Sequence, residues 1–174
     1  TEFAMPAQYL DEVVAYLEKN HLKIVTAESC TAGLIASTLA EPAGCGSWLE
    51  AAYVTYSEDT KIEALDVSEE TIEQYGLTSE EVACAMAEGA LKTVSANLAL
   101  ATTGVAGPSA GDGAVPVGTV CLAWTFKCDN GFRNFSEQAH FDGDRNQVRQ
   151  AATEFALKRI PHYHQKLLTT LTVS

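Results

Sequence analysis

The sequence predicts a three-layer α/β/α sandwich built on a mixed, partly parallel sheet. Strand-like and helical segments alternate in the first part of the chain, which favours parallel strands joined by crossover helices. Two later strand-like runs flank Asp129-Asn130-Gly131, a turn sequence typical of an antiparallel hairpin. The length of 174 residues suits a single domain. We expect residues 5–174 to form that domain, and we interpret residues 1–4, which precede Met5, as an expression scar.

The first half of the chain supplies helices and strands in alternation. Its segments are a helix over residues 6–20, a strand over 23–27, a helix over 31–39, a loop over 42–46, a strand over 51–56 and a short helix over 59–65. The first of these helices carries an apolar stripe of Leu10, Val13 and Leu17, which predicts that one face of it is buried.

The second half of the chain begins with helices and ends with a hairpin and further helix. Its segments are a helical turn over 68–76, a helix over about 79–95, a strand over 97–103, a glycine- and proline-rich loop over 104–116, strands over 117–126 and 132–141, a helix after Asp144 and a helical piece over 163–171. Pro161 is expected to stop or kink the helix that begins after Asp144. The helix over 79–95 is rich in Ala, Gly and Cys, so we expect it to lie close to the sheet.

The charge balance limits the partners of this chain. Eleven Lys and Arg against 23 Asp and Glu give a formal net charge of −12. That balance argues against a broad basic surface for nucleic acid or for an anionic membrane. A small anionic ligand stays compatible with a local site made of helix N-termini and one or two cations.

Other composition signals indicate a cytoplasmic protein. No apolar run approaches the roughly 20 residues of a membrane span, and the N-terminal segment lacks the apolar core of a signal peptide. The five cysteines are odd in number and irregularly spaced, which is typical of reduced thiols rather than of a disulfide framework or a zinc site. We therefore expect no metal.

Ser29 is the first candidate for catalysis. It lies where the strand over 23–27 gives way to the helix over 31–39, facing the first N–H groups of that helix. Such a position suits an oxyanion hole or an anion site. The alternative is that Ser29 only caps the helix, although Thr31 is a second candidate cap. Ala32-Gly33 leaves room for a ligand to approach the backbone.

Lys61 is the candidate base. It is the only Lys or Arg between Ile24 and Leu91, a stretch that holds thirteen Asp and Glu. A serine nucleophile needs a base, and a lysine whose pKa is lowered by burial is one solution. Because Lys61 follows the second strand as Ser29 follows the first, parallel pairing would bring both to one edge of the sheet. The alternative is a surface ion pair with Glu58.

Three further features are candidates for the same site. Tyr56 ends the second strand, where it is placed to hydrogen-bond the base or relay a proton, unless it is an ordinary strand tyrosine. The glycine-rich loop after the third strand offers backbone N–H groups to a ligand. Arg145 follows Asp144 at a helix start, where a cation is unfavourable. It is either a phosphate ligand beside free N–H groups or a solvated or ion-paired arginine.

Five motifs in order resemble the CinA carboxy-terminal domain family, the nicotinamide-mononucleotide deamidases. They are T-A-E-S-C-T-A-G at 26–33, A-Y-V-T-Y-S-x-x-x-K at 52–61, T-T-G-V-A-G-P at 102–108, P-V-G-T-V at 116–120 and F-D-G-D-R at 141–145. The resemblance covers nearly the whole chain. It implies a three-layer α/β/α domain and a metal-free amidohydrolase without a cofactor. The implied reaction converts nicotinamide mononucleotide to nicotinic acid mononucleotide and ammonia, in pyridine-nucleotide salvage.

The resemblance also assigns roles to particular residues. It places the nucleophile at Ser29, the lysine base at Lys61 and the assisting tyrosine at Tyr56. The remaining residues expected at the substrate are Cys30, Thr31, Gly33, Thr103, Gly104, Ala106, Gly107 and Arg145, with N–H groups near Cys30 and Thr31 holding the oxyanion. The chain departs from the usual T-G-G of the family at Thr31-Ala32-Gly33, which raises the alternative that the Ala32 methyl crowds the substrate. No separate amino-terminal domain, as in longer members, is expected.

The sequence therefore predicts a serine amidohydrolase, with two alternatives left open. One is a module that binds the nucleotide without turning it over, and the other is a structural or regulatory subunit. A small-molecule nucleotide is the expected partner, and self-association is left open.

Overall fold

The computed structural model describes residues 8–110 and 115–172, which form five strands, seven α-helices and one 3₁₀ turn over Cys45–Ser47. In chain order the elements are α1 (Gln8–Lys19), β1 (Ile24–Glu28), α2 (Leu34–Ala40), β2 (Leu49–Val54), α3 (Glu58–Leu65), α4 (Glu69–Tyr75), α5 (Glu80–Thr93), β3 (Leu98–Gly104), β4 (Thr119–Cys128), β5 (Gly131–His140), α6 (Arg145–Lys158) and α7 (Ile160–Thr172). The interpretation of residues 1–4, the predicted helix start at residue 6 and the middle of the predicted loop over 104–116 lie outside the described residues.

The strands form one mixed sheet in the order β2-β1-β3-β4-β5. β1 pairs in parallel with β2 on one side and with β3 on the other. β3 with β4 and β4 with β5 are antiparallel. The predicted partly parallel sheet with a late hairpin is thus confirmed. The carboxyl ends of three parallel strands meet at one edge, the usual location of ligand sites in α/β folds.

Helices cover both faces of the sheet, which confirms the predicted three layers. Large side chains of β3 and β4, including Leu100 and Trp124, face α1, α2, α6 and α7. The alternate positions are small, such as Ala99 and Ala123, and face α5 and its neighbours. This alternation follows from the two-residue repeat of a strand. It explains why α5 can be built of small residues and still bury one whole face.

α5 also approaches α3 closely, a contact that the sequence did not predict. A Cβ added at Gly89 would lie 1.8 Å from the carbonyl oxygen of Leu65. Only glycine fits at that contact, because a real Cβ needs about 3 Å or more of clearance. The close contact fixes α3, which carries Lys61, against the rest of the domain.

Two helix starts differ from the sequence prediction. α2 begins at Leu34 rather than at residue 31, because Ala32 and Gly33 adopt positive φ angles of 49° and 90° that end the preceding turn. α7 begins at Ile160 rather than at residue 163, because Pro161 fits the first turn of a helix, where proline lacks only a donor that has no partner there. The predicted end of the helix after Asp144 near Pro161 is confirmed, since α6 ends at Lys158. None of the helices in the described residues combines the length and apolar character that a bilayer crossing needs.

Candidate active site

Ser29 and Lys61 are brought together at the carboxyl edge of the parallel strands, as predicted. Ser29 directly follows β1, and its amide extends the ladder by donating to Thr102 O at 3.0 Å. Thr55 directly follows β2 and donates to Glu28 O at 2.9 Å. The end of β1 that leads into Ser29 is therefore hydrogen-bonded to the chain on both sides.

Lys61 is buried beside Ser29 and does not form the alternative ion pair with Glu58. Only 2% of Lys61 is exposed. Nζ lies 3.1 Å from Ser29 Oγ, 2.7 Å from Thr55 O and 3.4 Å from Tyr56 O. Burial lowers the pKa of Lys61 below its ordinary value, and this outweighs the Cys30 and Glu58 side chains, which act to raise the pKa. Its place in the first turn of α3 acts in the same direction as burial.

Three oxygen atoms surround Nζ, and burial favours the neutral form of the amine among them. An uncharged amine has two N–H donors and one lone pair. When Lys61 is neutral, the carbonyl oxygens of Thr55 and Tyr56 can accept the two hydrogens, and the lone pair then faces Ser29 Oγ at 3.1 Å. In this state Lys61 accepts the serine proton. The geometry is that of a nucleophile and its base within hydrogen-bonding reach.

Glu28 caps α2, whereas Ser29 and Thr31 do not, contrary to the sequence prediction. The Glu28 carboxylate is fully buried and accepts from Ile35 N at 2.9 Å and Ala36 N at 3.1 Å. It also accepts from the hydroxyls of Thr26 and Thr31. The first N–H groups of α2 are therefore not available to a ligand. Any oxyanion hole next to Ser29 has to come from the turn that precedes the helix.

The turn over 29–33 leaves two amides available. The amide of Ala32 donates to Ser29 O, and that of Leu34 donates to Thr31 O. Within the described residues, the amides of Cys30 and Thr31 lie against only the Cys30 sulfur. Sulfur is a weak acceptor, so both donors can be recruited by a developing oxyanion. They are the N–H groups that the sequence predicted for this role.

A cavity of about 210 Å³ opens beside this turn. Six of the predicted site residues line it, together with Val105, Ser109 and Ala110: Cys30, Tyr56, Gly104, Ala106, Gly107 and Arg145. Ser29 lies at 8% exposure next to this lining rather than in it. Thr31, Gly33 and Thr103 lie outside the lining, and the Thr103 hydroxyl donates to Leu77 O.

Ala32 is exposed and also lies outside the cavity lining. Its φ of 49° is in the left-handed region, where glycine is favoured over residues with a Cβ. The glycine usual in the family thus matches a backbone requirement. The structure gives no support to the alternative that the Ala32 methyl crowds the cavity.

The hydroxyl of Tyr56 contacts Arg145 rather than the base. Arg145 Nη2 donates to Tyr56 Oη at 2.6 Å, and Nη1 donates to the Gly107 carbonyl. Only the backbone oxygen of Tyr56 reaches Lys61. Arg145 forms no ion pair with a carboxylate of the described residues, so its charge faces the cavity unneutralised.

One expected source of anion-binding N–H groups is otherwise occupied, and one expected glycine has a packing role. The Asp144 carboxylate caps α6 by accepting from Asn146 N and Gln147 N, so these donors are not free for a phosphate. Gly104 is required by packing rather than by a ligand, since a Cβ there would lie 2.6 Å from Thr119 O. The amides of Ala106 and Gly107 have no acceptor among the described residues and remain available.

The thiol of Cys30 lines the cavity but is not a competing nucleophile. Burial raises the pKa of Cys30 to about 11. The reactive thiolate is therefore scarce at neutral pH. Ser29 is left as the nucleophilic side chain next to a base.

Two other features of the described residues bear on the location of the site. A larger groove of about 940 Å³ lies between β5 and α7, but the serine and the buried lysine are at the smaller cavity. Residues 8–110 and 115–172 contain no group of three or more His, Cys, Asp or Glu that could hold a metal ion.

Sequence reasoning missed two residues that shape the turn. Glu28 is a charged residue in an otherwise uncharged, fully buried strand, and such a residue must be paired. Arg149 lies four residues after Arg145 on the same helix face. It donates to Cys30 O and Thr31 O.

Comparisons with known proteins agree with this geometry. The chain is 45% identical over 142 residues to the nicotinamide-nucleotide amidohydrolase PncC of Pseudomonas putida, covering 82% of this chain and 86% of that protein. It is 39% identical to the protein of the same name from Escherichia coli K12, covering 88% and 91%. A longer CinA-like protein of Colwellia psychrerythraea is 49% identical over 119 residues, and the chain spans 28% of its length.

Solved structures share the fold. A CinA superfamily protein from Escherichia coli superposes with a TM-score of 0.83 at 33% identity, covering 92% of this chain and 91% of that chain. A competence/damage-inducible protein from Agrobacterium tumefaciens gives 0.79 at 35% identity, covering 92% and 98%. The profile of the CinA C-terminal domain matches residues 7–164. With this match, the identities to the PncC proteins and the shared fold, the chain belongs to the CinA C-terminal domain family.

Proposed function

We propose that this protein deamidates nicotinamide mononucleotide, giving nicotinic acid mononucleotide and ammonia. The observation that carries the proposal is the buried Lys61 amine, 3.1 Å from Ser29 Oγ and 2.7 Å from the Thr55 carbonyl. The PncC relatives are named for hydrolysis of a nicotinamide nucleotide. A serine–lysine pair suits a carboxamide, because the amine can both remove the serine proton and return it to the leaving group.

The first half of the reaction forms an acyl-enzyme. Ser29 Oγ attacks the carboxamide carbon while Lys61 Nζ takes the hydroxyl proton. The oxygen of the tetrahedral intermediate is stabilised by the amides of Cys30 and Thr31. Lys61 then gives its proton to the departing nitrogen, the C–N bond breaks, and ammonia leaves with the nicotinoyl group esterified to Ser29.

The second half uses the same groups in reverse roles. Neutral Lys61 takes a proton from water as the water oxygen attacks the ester carbon. Collapse of the second tetrahedral intermediate breaks the bond to Ser29 Oγ, and Lys61 returns the proton to that oxygen. The products are the carboxylic acid and the free serine, with no metal or cofactor required by the balance of atoms.

Arg145 and the amides of Ala106 and Gly107 are suited to the phosphate of the substrate. Arg145 lines the cavity without a carboxylate partner in residues 8–110 and 115–172, and the same residues supply no acceptor for the two amides. Phosphate binding would replace the contacts of Arg145 with Gly107 O and Tyr56 Oη. The cationic pyridinium ring is compatible with a protein of net charge −12.

The test is incubation with nicotinamide mononucleotide, followed by chromatography of the acid product and an assay of released ammonia. We expect turnover by the wild type, a loss of about 10⁴-fold or more in Ser29→Ala, and no change on treatment with EDTA. Ser37→Ala is the matched control, since Ser37 is an exposed serine on α2 without a side-chain hydrogen bond among the described residues. Binding without product in the wild type would instead support the nucleotide-binding alternative.

A further inference from the structure

Arg149, on α6, contacts the turn that follows Ser29. Its Nε donates to Cys30 O at 3.2 Å and its Nη2 donates to Thr31 O at 3.1 Å. Nη1 donates to Asn146 Oδ1 at 3.1 Å on the same helix. One planar guanidinium therefore spans two consecutive carbonyl groups that lie 118 and 119 residues away in sequence.

The orientation of these carbonyls decides where the amides point. A peptide group is planar and trans, so the N–H of one residue points away from the carbonyl oxygen of the preceding residue. Holding Cys30 O toward α6 thus directs the Thr31 amide to the opposite side. Holding Thr31 O in addition prevents the next peptide from rotating, and the Ala32 amide is fixed on Ser29 O at 2.9 Å.

The peptide between Thr31 and Ala32 is also held by backbone bonds, from Leu34 N to Thr31 O and from Ala32 N to Ser29 O. For the carbonyl of Cys30, the donor among the described residues is Arg149. Glu28 holds the Thr31 hydroxyl and the start of α2. Thr102 O holds the Ser29 amide. Among the described residues, Arg149 is the side-chain donor to the carbonyls of Cys30 and Thr31. A guanidinium suits this task because its donors form a rigid fork, whereas an ammonium cannot span two oxygen atoms in the same way.

We propose that Arg149 is a positioning residue, which orients the amide of Thr31 as an oxyanion donor for attack by Ser29. The inference rests on the proposed function for its catalytic consequence. It assigns the two arginines of α6 to different tasks: Arg145 lines the cavity, whereas Arg149 lies outside the lining and contacts two backbone carbonyls.

The kinetic test compares Arg149→Met and Arg149→Lys with wild type. Loss of a well-placed oxyanion donor lowers kcat by about 100- to 1000-fold, and we expect both variants to show a loss of this size. Affinity for nicotinamide mononucleotide, measured by calorimetry in a Ser29→Ala background, is expected to stay within about 3-fold. Arg159→Met is the matched control, because Arg159 caps the far end of α6 and pairs with Glu137. A kcat within about 3-fold of wild type would overturn the proposal, as would a loss of affinity equal to the loss in kcat/KM.

A second readout is the NMR resonance of the Thr31 amide, which does not depend on turnover and is compared across several variants. In ¹H–¹⁵N spectra, the Thr31 amide resonance should shift in Arg149→Met and Arg149→Lys but not in Arg159→Met. Guanidinium ions should partly restore the kcat of Arg149→Ala and not that of Ser29→Ala. An unchanged Thr31 resonance would refute the positioning role. If wild type itself does not hydrolyse the mononucleotide, the proposed function fails, while the Thr31 resonance still decides whether Arg149 orients the turn.

Discussion

Replacing Lys61 should abolish catalysis but leave the protein folded. Burial makes Lys61 a base by disfavouring its charged form, and for the same reason the lysine adds little to the stability of the fold. In Lys61→Met, Ser29 loses its proton acceptor, and kcat is expected to fall by about 100- to 10,000-fold. Lys61→Arg should not restore activity, since a guanidinium stays protonated throughout this pH range. The same substitution also removes the contacts of Nζ with Thr55 O and Ser29 Oγ, which affects the stability of the fold.

Two opposing effects set the stability of Lys61→Met. The variant leaves the buried Thr55 carbonyl without its Lys61 donor, which costs about 1–3 kcal/mol. It also removes the penalty of burying a charge, about 1.4 kcal/mol for each unit by which the pKa is lowered. We therefore expect the free energy of unfolding at neutral pH to differ from wild type by less than about 2 kcal/mol.

The pH dependence follows from the direction of the pKa shift. Lys61 has a folded-state pKa below its ordinary value of 10.5. Between the two values the unfolded chain binds a proton that the folded chain does not, so wild-type stability rises with pH across this window. The stability is fully present above 10.5 and is lost as the pH falls toward the folded-state pKa. Lys61→Met should lack this rise, and wild-type kcat/KM should increase with pH as the amine loses its proton.

The assays are urea denaturation at several pH values and initial rates of ammonia release from nicotinamide mononucleotide over the same range. Retention of more than about a tenth of the rate by Lys61→Arg would show that the side chain acts as an electrostatic anchor and not as the base. A wild-type kcat/KM that keeps rising with pH up to 10.5, without levelling off earlier, would contradict the lowered pKa.

The remaining predictions concern the cavity and the turn around Ser29. Arg145→Ala should lower kcat/KM for the mononucleotide by about 10- to 150-fold and barely change that for nicotinamide riboside, which lacks the phosphate; an equal loss for both substrates would mean that Arg145 supports the fold. Glu28→Gln should lower the free energy of unfolding by about 2–4 kcal/mol, because an amide NH₂ would face the N–H donors of α2; urea denaturation measures this, and a neutral effect would count against the capping role. Iodoacetamide at neutral pH should leave activity intact, because the raised pKa of Cys30 keeps its thiol protonated; rapid inactivation that Cys30→Ala prevents would contradict this. Ala32→Gly should stabilise the protein by about 0.5–1 kcal/mol, since it relieves a left-handed alanine; a lower melting temperature would disprove the strain.

Most of the fold was predictable because its signals are local. The alternation of strands and helices, the Asp129-Asn130-Gly131 turn and the Asp144 cap each depend on residues within a few positions of one another. The order of elements placed Ser29 and Lys61 after neighbouring strands, and pairing of β1 with β2 then brought them together. The helix start at 31 was wrong because local propensity does not show that Ala32 and Gly33 adopt left-handed backbone angles.

By itself, then, the sequence determined the layered sheet, the family and the pair of residues at its carboxyl edge. Tertiary structure decided which donors are free and which are occupied. Glu28 takes the first N–H groups of α2, and Arg149 of α6 donates to the carbonyls of Cys30 and Thr31. The tertiary structure also buries Lys61 next to uncharged oxygen atoms, and no carboxylate of the described residues forms an ion pair with it. These outcomes depend on packing between segments far apart in the chain, and local periodicity carries no information about such contacts.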